Sequence, residues 1–450
     1  MKIAIIGTGP SGYSSGMEFL KKGFKVEFFD FNKNSKKKIP KIKNVSPKLN
    51  NQEYLNGNSI FYENYKIKKN KFILTSYLGI GGLSNFWGGG IEIPENEYLN
   101  KFYKKKELKI EMNNVLNSFY PQELFQKKYK KFYDQDIVNN FLKPEKNIKV
   151  QKFLIALNKS NKKIYSTIND TNNKRISNKI KIKNYFVKNI VNKEKKLSII
   201  CQDINNNNFH FDGYDKVIIA CGTVGSTLLV SKILDFKKKI FRLSHTPTVK
   251  FAYLGIRFKK FSPYQNKINY PLLKISAKVK KKIIKGSLFL LENLNNEWIG
   301  FSKKNFIVKF LKKNIVAGFY FLPHYTIDTK INILEGDVKI TYKLKNTYIT
   351  MLKLVKKITD KFFINKKFIS IPFFSWKLNS IGSDAHYTSS LYLHDKKKKI
   401  FNKLFELKKM KNCHVLDGSV LPPGLSYPTF MTMVNSKAIT KLILNEKIKN

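Results

Sequence analysis

Lys2 to Ile6 (KIAII) is an apolar run too short for a helix and without a turn residue, which predicts a buried strand. It enters Gly7-Thr8-Gly9-Pro10-Ser11-Gly12, after which small and apolar residues predict a helix closed by Gly23. A second strand is predicted over Lys25 to Phe29 (KVEFF), ending at Asp30. From Phe31 to Asn58 the chain is polar and lysine-rich, with Pro40 and Pro47, and predicts a surface excursion. From Lys71 the pattern changes, with glycine at 79, 81, 82, 88, 89 and 90 around Ser84, Asn85, Phe86 and Trp87. So many glycines suit a backbone pressed against a flat ligand, with Phe86 and Trp87 buried beside it. Charged and aromatic residues alternate at helical spacing from Tyr98 to Tyr165, predicting a helical insertion or lid.

Strand periodicity returns with KIKIKNYFVKNI, LSIICQDI and FHFDG, the last two separated by Asn205 to Asn208 as a hairpin turn would separate them. Val217 to Ala220 (VIIA) predicts another fully buried strand, again ending in a glycine (Cys221-Gly222) before an apolar helix. Phe241 to Phe374 holds many short strand-like stretches and predicts an antiparallel sheet with some helices. The division expected is 1–100, 101–179, 180–245, 246–374 and 375–450, with the first, third and last parts forming one nucleotide-binding unit and 246–374 a substrate domain.

Composition changes this picture little. A chain of 450 residues, 42% hydrophobic with 36 Phe and 23 Tyr, is not globally disordered. The net charge is +54, yet arginine occurs only at 175, 242 and 257, so the excess is lysine. Nucleic-acid readers rely on arginine forks as well, and abundant Asn, Ile and Phe match an A/T-rich coding sequence. The charge therefore predicts non-specific attraction to polyanions and loose association with acidic membranes, with no specific nucleic-acid partner. Cys201, Cys221 and Cys413 are widely spaced, so neither a metal site nor a disulfide framework is expected. No apolar segment approaches a membrane span, and a soluble cytoplasmic protein is expected.

The chemistry begins at G-x-G-x-x-G between a strand and a helix. Gly7 serves the sharp turn, Gly9 the close approach of backbone to a pyrophosphate, and Gly12 the packing of helix on strand. Pro10 suits the first helical turn, where a missing N–H costs nothing. Asp30 follows about twenty residues on, where a carboxylate can accept hydrogen bonds from an adenosine ribose.

With that turn, GGLSNFWGGG, VIIACGTVGSTLLVSK, HYTSSL and VLDGSVLPPGLSYPTFMTM occurring in order, the chain resembles the glucose-methanol-choline (GMC) flavoprotein oxidoreductases, in particular the shorter bacterial members. The resemblance implies an α/β fold: a Rossmann-like FAD-binding domain built from discontinuous segments, with an α+β substrate domain containing an antiparallel sheet. It implies FAD, with Gly7, Gly9, Pro10, Ser11 and Gly12 at the pyrophosphate, Asp30 at the ribose, Val187 near adenine and Gly222 near the same half. Gly82, Ser84, Asn85, Trp87 and Gly88 would lie by the flavin, and Asp417 and Gly418 by the pyrophosphate and ribityl chain. The helix from Pro428, with Thr429 and Asn435, would aim its N-terminus at the flavin pyrimidine edge.

Oxidising an alcohol on a flavin requires removal of the hydroxyl proton as hydride leaves the same carbon, and histidine is the usual base. Of six histidines, His386 in DAHYTSS matches the family's catalytic histidine. Where the family has a second His or Asn, this chain has Tyr427 and Pro428, and the tyrosine hydroxyl can donate a hydrogen bond. His245 reads as a domain-junction residue, His210 and His414 as structural, and His394 as exposed. The activity implied is oxidation of a CH–OH group of a small-molecule alcohol or sugar-like substrate, with the electron acceptor open between dioxygen, a quinone and a carrier protein. A catalytically impaired flavin-binding descendant, a pyridine-nucleotide dehydrogenase and a basic nucleic-acid-binding protein are the alternatives.

Overall fold

The structure is a computed structural model that describes residues 1–32, 52–102, 104–121, 123–124, 135–159, 164–168, 180–236, 238–255, 273–290, 314–372 and 375–446. Much of the polar excursion (33–51), the lysine-rich run at 127–131 and parts of the antiparallel stretch (256–272 and 291–313) lie outside the described residues.

The buried apolar runs form a parallel sheet. Its strand order is β19 (Cys413–Val415), β8 (Lys216–Ile219), β1 (Lys2–Ile6), β2 (Lys25–Asp30) and β4 (Lys181–Asn184), drawn from four distant parts of the chain. β1 lies between β2 and β8, which is why Ile3 to Ile6 are apolar on both faces and buried. In register, Ile6 lies beside Phe29 on one side and Ile219 on the other. The turns that follow the three strands therefore emerge together, at the point where the strand order reverses. Helix α1 (Pro10–Lys21) lies close on this sheet because its inward residues are glycine: a Cβ on Gly16 would stand 2.2 Å from the Phe28 ring.

Three antiparallel sheets complete the described fold. β5 (Phe186–Lys193), β6 (Lys196–Gln202) and β7 (Asn208–Tyr214) form a meander, and Asp203 closes the β6–β7 turn by accepting from the backbone N–H groups of Asn205 and Asn207. A seven-stranded sheet runs β16 (Phe368–Ser370), β10 (Thr248–Gly255), β13 (Ile315–Phe321), β12 (Lys282–Leu290), β11 (Leu273–Val279) and β3 (Ile148–Lys152), with β17 (Lys377–Leu378) also on β10. The last sheet is β15 (Asp337–Leu344), β14 (Ile327–Leu334), β9 (Lys238–His245) and β18 (Tyr387–Thr388).

The α/β fold with a separate antiparallel sheet is the one expected from the sequence. Two local readings differ. Helix α2 (Gln52–Asn64) begins inside the stretch read as an excursion, because Ile60, Phe61 and Tyr62 give it a face to bury. Within the stretch read as helical, α3 (Lys105–Ser118) and α4 (Gln135–Leu142) are followed by β3, whose edge position needs apolar residues only at Ile148 and Val150. Further on lie α5 (Thr223–Ile233), α6 (Asn346–Asn365), α7 (Ser390–Lys398) and α8 (Pro428–Glu446). α6 covers the back of the seven-stranded sheet, where Tyr253 stacks on Phe363 at 3.9 Å between ring centroids.

Candidate active site

Three helices begin at one cleft. α1 contributes Gly9, Pro10 and Ser11, α5 Gly222 and Thr223, and α8 Pro428 and Thr429, and none of the three has an acidic residue in its first turn. The positive ends of their dipoles point into the cleft, an arrangement that suits a phosphate group. The cleft is about 590 Å³ and runs from Asp30 and Val187 past Gly82 and Trp87 to His386 and Tyr427.

Glycine keeps its floor low. Gly7 has φ +100°, and Gly222, at φ +79°, precedes α5 in the same left-handed range. A Cβ on Gly9 would touch nothing within 4 Å, so the backbone there is open to a ligand. The glycine-rich loop is tied to the first turn through Thr8, which accepts from the Gly81 N–H at 2.8 Å and receives the Thr167 hydroxyl on its carbonyl at 2.9 Å. Ser84 donates to the Gly81 carbonyl at 2.6 Å, and the Trp87 indole N–H to Tyr165 at 2.6 Å.

Two acids sit at the strand ends. Asp30 accepts from the N–H and hydroxyl of Thr8 and from the Phe31 N–H; burial pushes its pKa up, only partly opposed by those bonds. Asp417 accepts from Ser226 and Ser419, and burial likewise raises its pKa. Cys221, beside them, is driven far above the usual thiol value by burial, so it stays a thiol at neutral pH.

At the other end His386 stands between Phe321 and Tyr427, with ring centroids 4.7 and 5.7 Å away. Burial lowers its pKa, against a smaller upward pull from Asp384, so the ring is neutral near pH 7 and can accept a proton. Its Nδ1 is buried with no hydrogen-bond partner among the described residues. Ala385, at φ +61°, holds the left-handed turn that presents it. Asp384 takes a 2.8 Å hydrogen bond from His245, which is wholly buried, and is reached by the Thr248 hydroxyl at 3.4 Å. Burial would raise the Asp384 pKa, but His245 holds it below the usual carboxylate range.

Tyr427 is positioned from both ends. Its hydroxyl bonds Ser287 on β12, and its N–H and that of Ser426 donate to buried Glu92 at 2.8 Å. Lys285 donates to the other Glu92 oxygen at 2.6 Å. Burial raises the Tyr427 pKa far above its ordinary value, so the phenol stays protonated and acts only as a hydrogen-bonding group.

No family model matches the chain, and no curated protein matches its sequence. Solved structures do. A formate oxidase variant from Aspergillus oryzae RIB40, studied for its FAD modification, superposes with a TM-score of 0.71 at 11% identity, covering 99% of this chain and 98% of that one. A crystal structure of formate oxidase gives 0.69 at 10%, with the same coverage. An FAD-dependent oxidoreductase from Chaetomium thermophilum gives 0.62 at 10%, covering 99% of both chains. The likeness is one of fold.

Of the residues singled out from sequence, Gly7, Gly9, Pro10, Ser11, Asp30, Gly82, Ser84, Trp87, Gly88, Val187, Gly222, His386, Asp417, Gly418, Tyr427 and Thr429 all line this cleft. Three do not. Gly12 faces the turn itself, where a Cβ would stand 2.1 Å from the Gly7 carbonyl oxygen. Asn85 is turned away, donating to Ile80 at 2.8 Å and accepting from Ser166 at 2.5 Å. Asn435 is buried seven residues into α8, roughly 10 Å from its N-terminus along the axis.

His245 is no mere junction residue, since it pairs with Asp384 two residues before His386. His394 is buried, not exposed: α7 turns it onto Phe241, 4.7 Å between centroids, while its lysines face outward. Glu92, Thr248 and Asp384 carried no signal in the sequence, because each acts through a partner far away along the chain.

Proposed function

We propose that the chain is an FAD-dependent oxidoreductase that oxidises a CH–OH group of an alcohol or sugar-like substrate. The observation that carries the reading is the convergence of three helix N-termini and an open glycine backbone on a cleft that ends at a neutral histidine. The solved structures of the same fold, whose names include FAD, support that cofactor.

The donor set fits FAD. Gly7, Gly9 and Ser11 at the start of α1 suit the pyrophosphate, with Gly222 and Gly418 beside them, Asp30 suits the ribose, and the positive end of α8 at Pro428 and Thr429 would favour an anionic reduced ring. A bound flavin supplies a two-electron acceptor for the hydride of a carbinol carbon. His386 accepts the hydroxyl proton at its ring nitrogen, and Tyr427 orients the substrate oxygen by a hydrogen bond. Asp384 with His245 holds the segment bearing His386, and Phe289, Phe319 and Phe321 exclude water from the far wall.

The test begins with the absorption spectrum of the purified protein. A colourless protein that takes up no FAD on reconstitution rejects the cofactor. With flavin bound, anaerobic bleaching by a panel of alcohols is expected, and His386→Ala should slow it by about 10² or more with flavin content retained. Unchanged bleaching in the variant rejects His386 as the base. Tyr427 and Pro428, one of which stands where the GMC resemblance expects His or Asn, favour one second reading, a flavin-binding protein without turnover, since the Tyr427 hydroxyl is already bonded to Ser287. Bound FAD that no alcohol reduces selects it.

A further inference from the structure

Whether Tyr427 has a hydrogen bond to offer a substrate turns on one proton. Its hydroxyl bonds Ser287, and between two hydroxyls either oxygen can be the donor. Ser287 is wholly buried, does not line the cleft, and has no other side-chain hydrogen bond among the described residues. Were Tyr427 the donor, the Ser287 proton would be left in the interior without an acceptor, at the full cost of its desolvation. With Ser287 as the donor, the spare proton is that of Tyr427, which lines the cleft, where water or a ligand accepts it. Only the second arrangement satisfies both hydroxyls.

The surroundings fix the pair in place. On β12, Ile284 and Leu288 pack into the core under α6, so Lys285, Ser287 and Phe289 share the opposite face. Lys285 donates to one oxygen of Glu92, and the other accepts the Tyr427 N–H. β12, Glu92 and Tyr427 thereby close a ring of hydrogen bonds that holds the tyrosine at its backbone and at its hydroxyl. Its aromatic ring is bracketed by Phe153, Phe321 and His386, with centroids 5.3, 4.7 and 5.7 Å away.

We propose that Ser287 is a positioning residue: its hydroxyl donates to the Tyr427 oxygen and so turns the Tyr427 proton into the cleft, toward the oxygen of the alcohol that His386 deprotonates. The proposal rests on the oxidoreductase reading above and deepens it. As the hydroxyl proton passes to His386 and hydride leaves the carbinol carbon, the substrate oxygen gains alkoxide character before the C=O bond is complete. Tyr427 keeps its own proton throughout and stabilises that oxygen by a hydrogen bond, which strengthens toward the transition state. A phenol that accepts from a second hydroxyl is also the stronger donor.

The FAD-reconstituted full chain is tested by anaerobic bleaching with whichever of ethanol, glycerol, glucose and benzyl alcohol reduces the flavin fastest. Ser287→Ala is expected to lower kcat by about tenfold with KM changed by less than about twofold, and Tyr427→Phe to lower kcat at least as far. In the Tyr427→Phe background Ser287→Ala should cost nothing more, because the serine acts only through the phenol. Native kcat in Ser287→Ala, a defect confined to KM, or the same loss in both backgrounds overturns the proposal.

Neutron diffraction from the unsubstituted full chain in heavy water reads the proton positions directly and requires no turnover, so it separates this outcome from the fate of the parent reading. A Ser287 deuteron lying between the two oxygens, with the Tyr427 deuteron turned into the cleft, supports the assignment even where no alcohol reduces the flavin. A Tyr427 deuteron lying between them overturns it.

Discussion

His386, the base in the proposed reaction, sits beside a pair of residues that sequence separates widely. His245 and Asp384 are both buried and lie 2.8 Å apart, and the Asp384 carboxylate also reaches the His386 N–H at 3.5 Å. Removing one partner of such a pair leaves the other desolvated, which typically costs about 3–5 kcal/mol. Asp384→Asn is therefore expected to lower unfolding free energy by about 3 kcal/mol and to slow alcohol-dependent bleaching beyond what the stability loss explains. Urea unfolding beside single-turnover bleaching at a temperature where both proteins are folded checks this. A variant of native stability and native rate would show that the pair neither supports the fold nor positions His386. His386 itself, with its pKa lowered by burial, is neutral at pH 7 and protonates only below its ordinary value of 6.5. The acid limb of the bleaching rate is expected below that value.

At the scale of elements, the site depends on how closely α1 and α8 approach the sheet. α8 lies on α1 through Ser436, whose hydroxyl donates to the Ser11 carbonyl at 2.8 Å, and through Ser15 and Thr440, 2.7 Å apart. Small residues permit this approach, and Gly12 is the most constrained, because the atom its Cβ would meet is backbone rather than a movable side chain. Gly12→Ala is expected to cost about 1–3 kcal/mol through forced displacement of the first turn. FAD affinity should fall with it, since the same turn forms the floor of the cleft; titration with FAD alongside urea unfolding measures both. Substitution at Gly9, whose Cβ would meet no protein atom, should spare stability while obstructing FAD, which separates packing from ligand approach.

For the whole molecule, charge and burial set the response to solution conditions. His324 and His414 are held at pKa values of about 4 by burial, against 6.5 for the unfolded chain. Both are neutral in the fold, so the unfolded state binds more protons between those values. Their contribution is complete above pH 6.5 and is lost as pH falls toward 4. Below about 4.5 the lowered carboxylates Glu27 and Glu111 add to the loss, while Asp30 and Asp417, whose pKa values are raised, oppose it. The thermal midpoint is therefore expected to drop from pH 7 to pH 4, and a flat profile would show either that the two aspartates offset the histidines or that the histidines are solvated. No helix among the described residues is long and apolar enough to cross a membrane.

Much of this was legible in the chain itself. Strand–glycine–helix order, the acid at position 30 and the buried run before Gly222 are local patterns, since a short apolar run must be covered on both faces and a left-handed turn selects glycine. Those constraints act between neighbours, and they predicted β1, α1, β2, β8 and the side of the sheet on which a ligand would lie. What tertiary structure decided was which distant groups meet. Glu92 under the start of α8, His245 against Asp384 and His394 against Phe241 are juxtapositions between strands and helices far apart along the chain. No periodicity records them, because a buried polar side chain is chosen for the partner that folding brings to it, and that partner is fixed only once the sheets have packed.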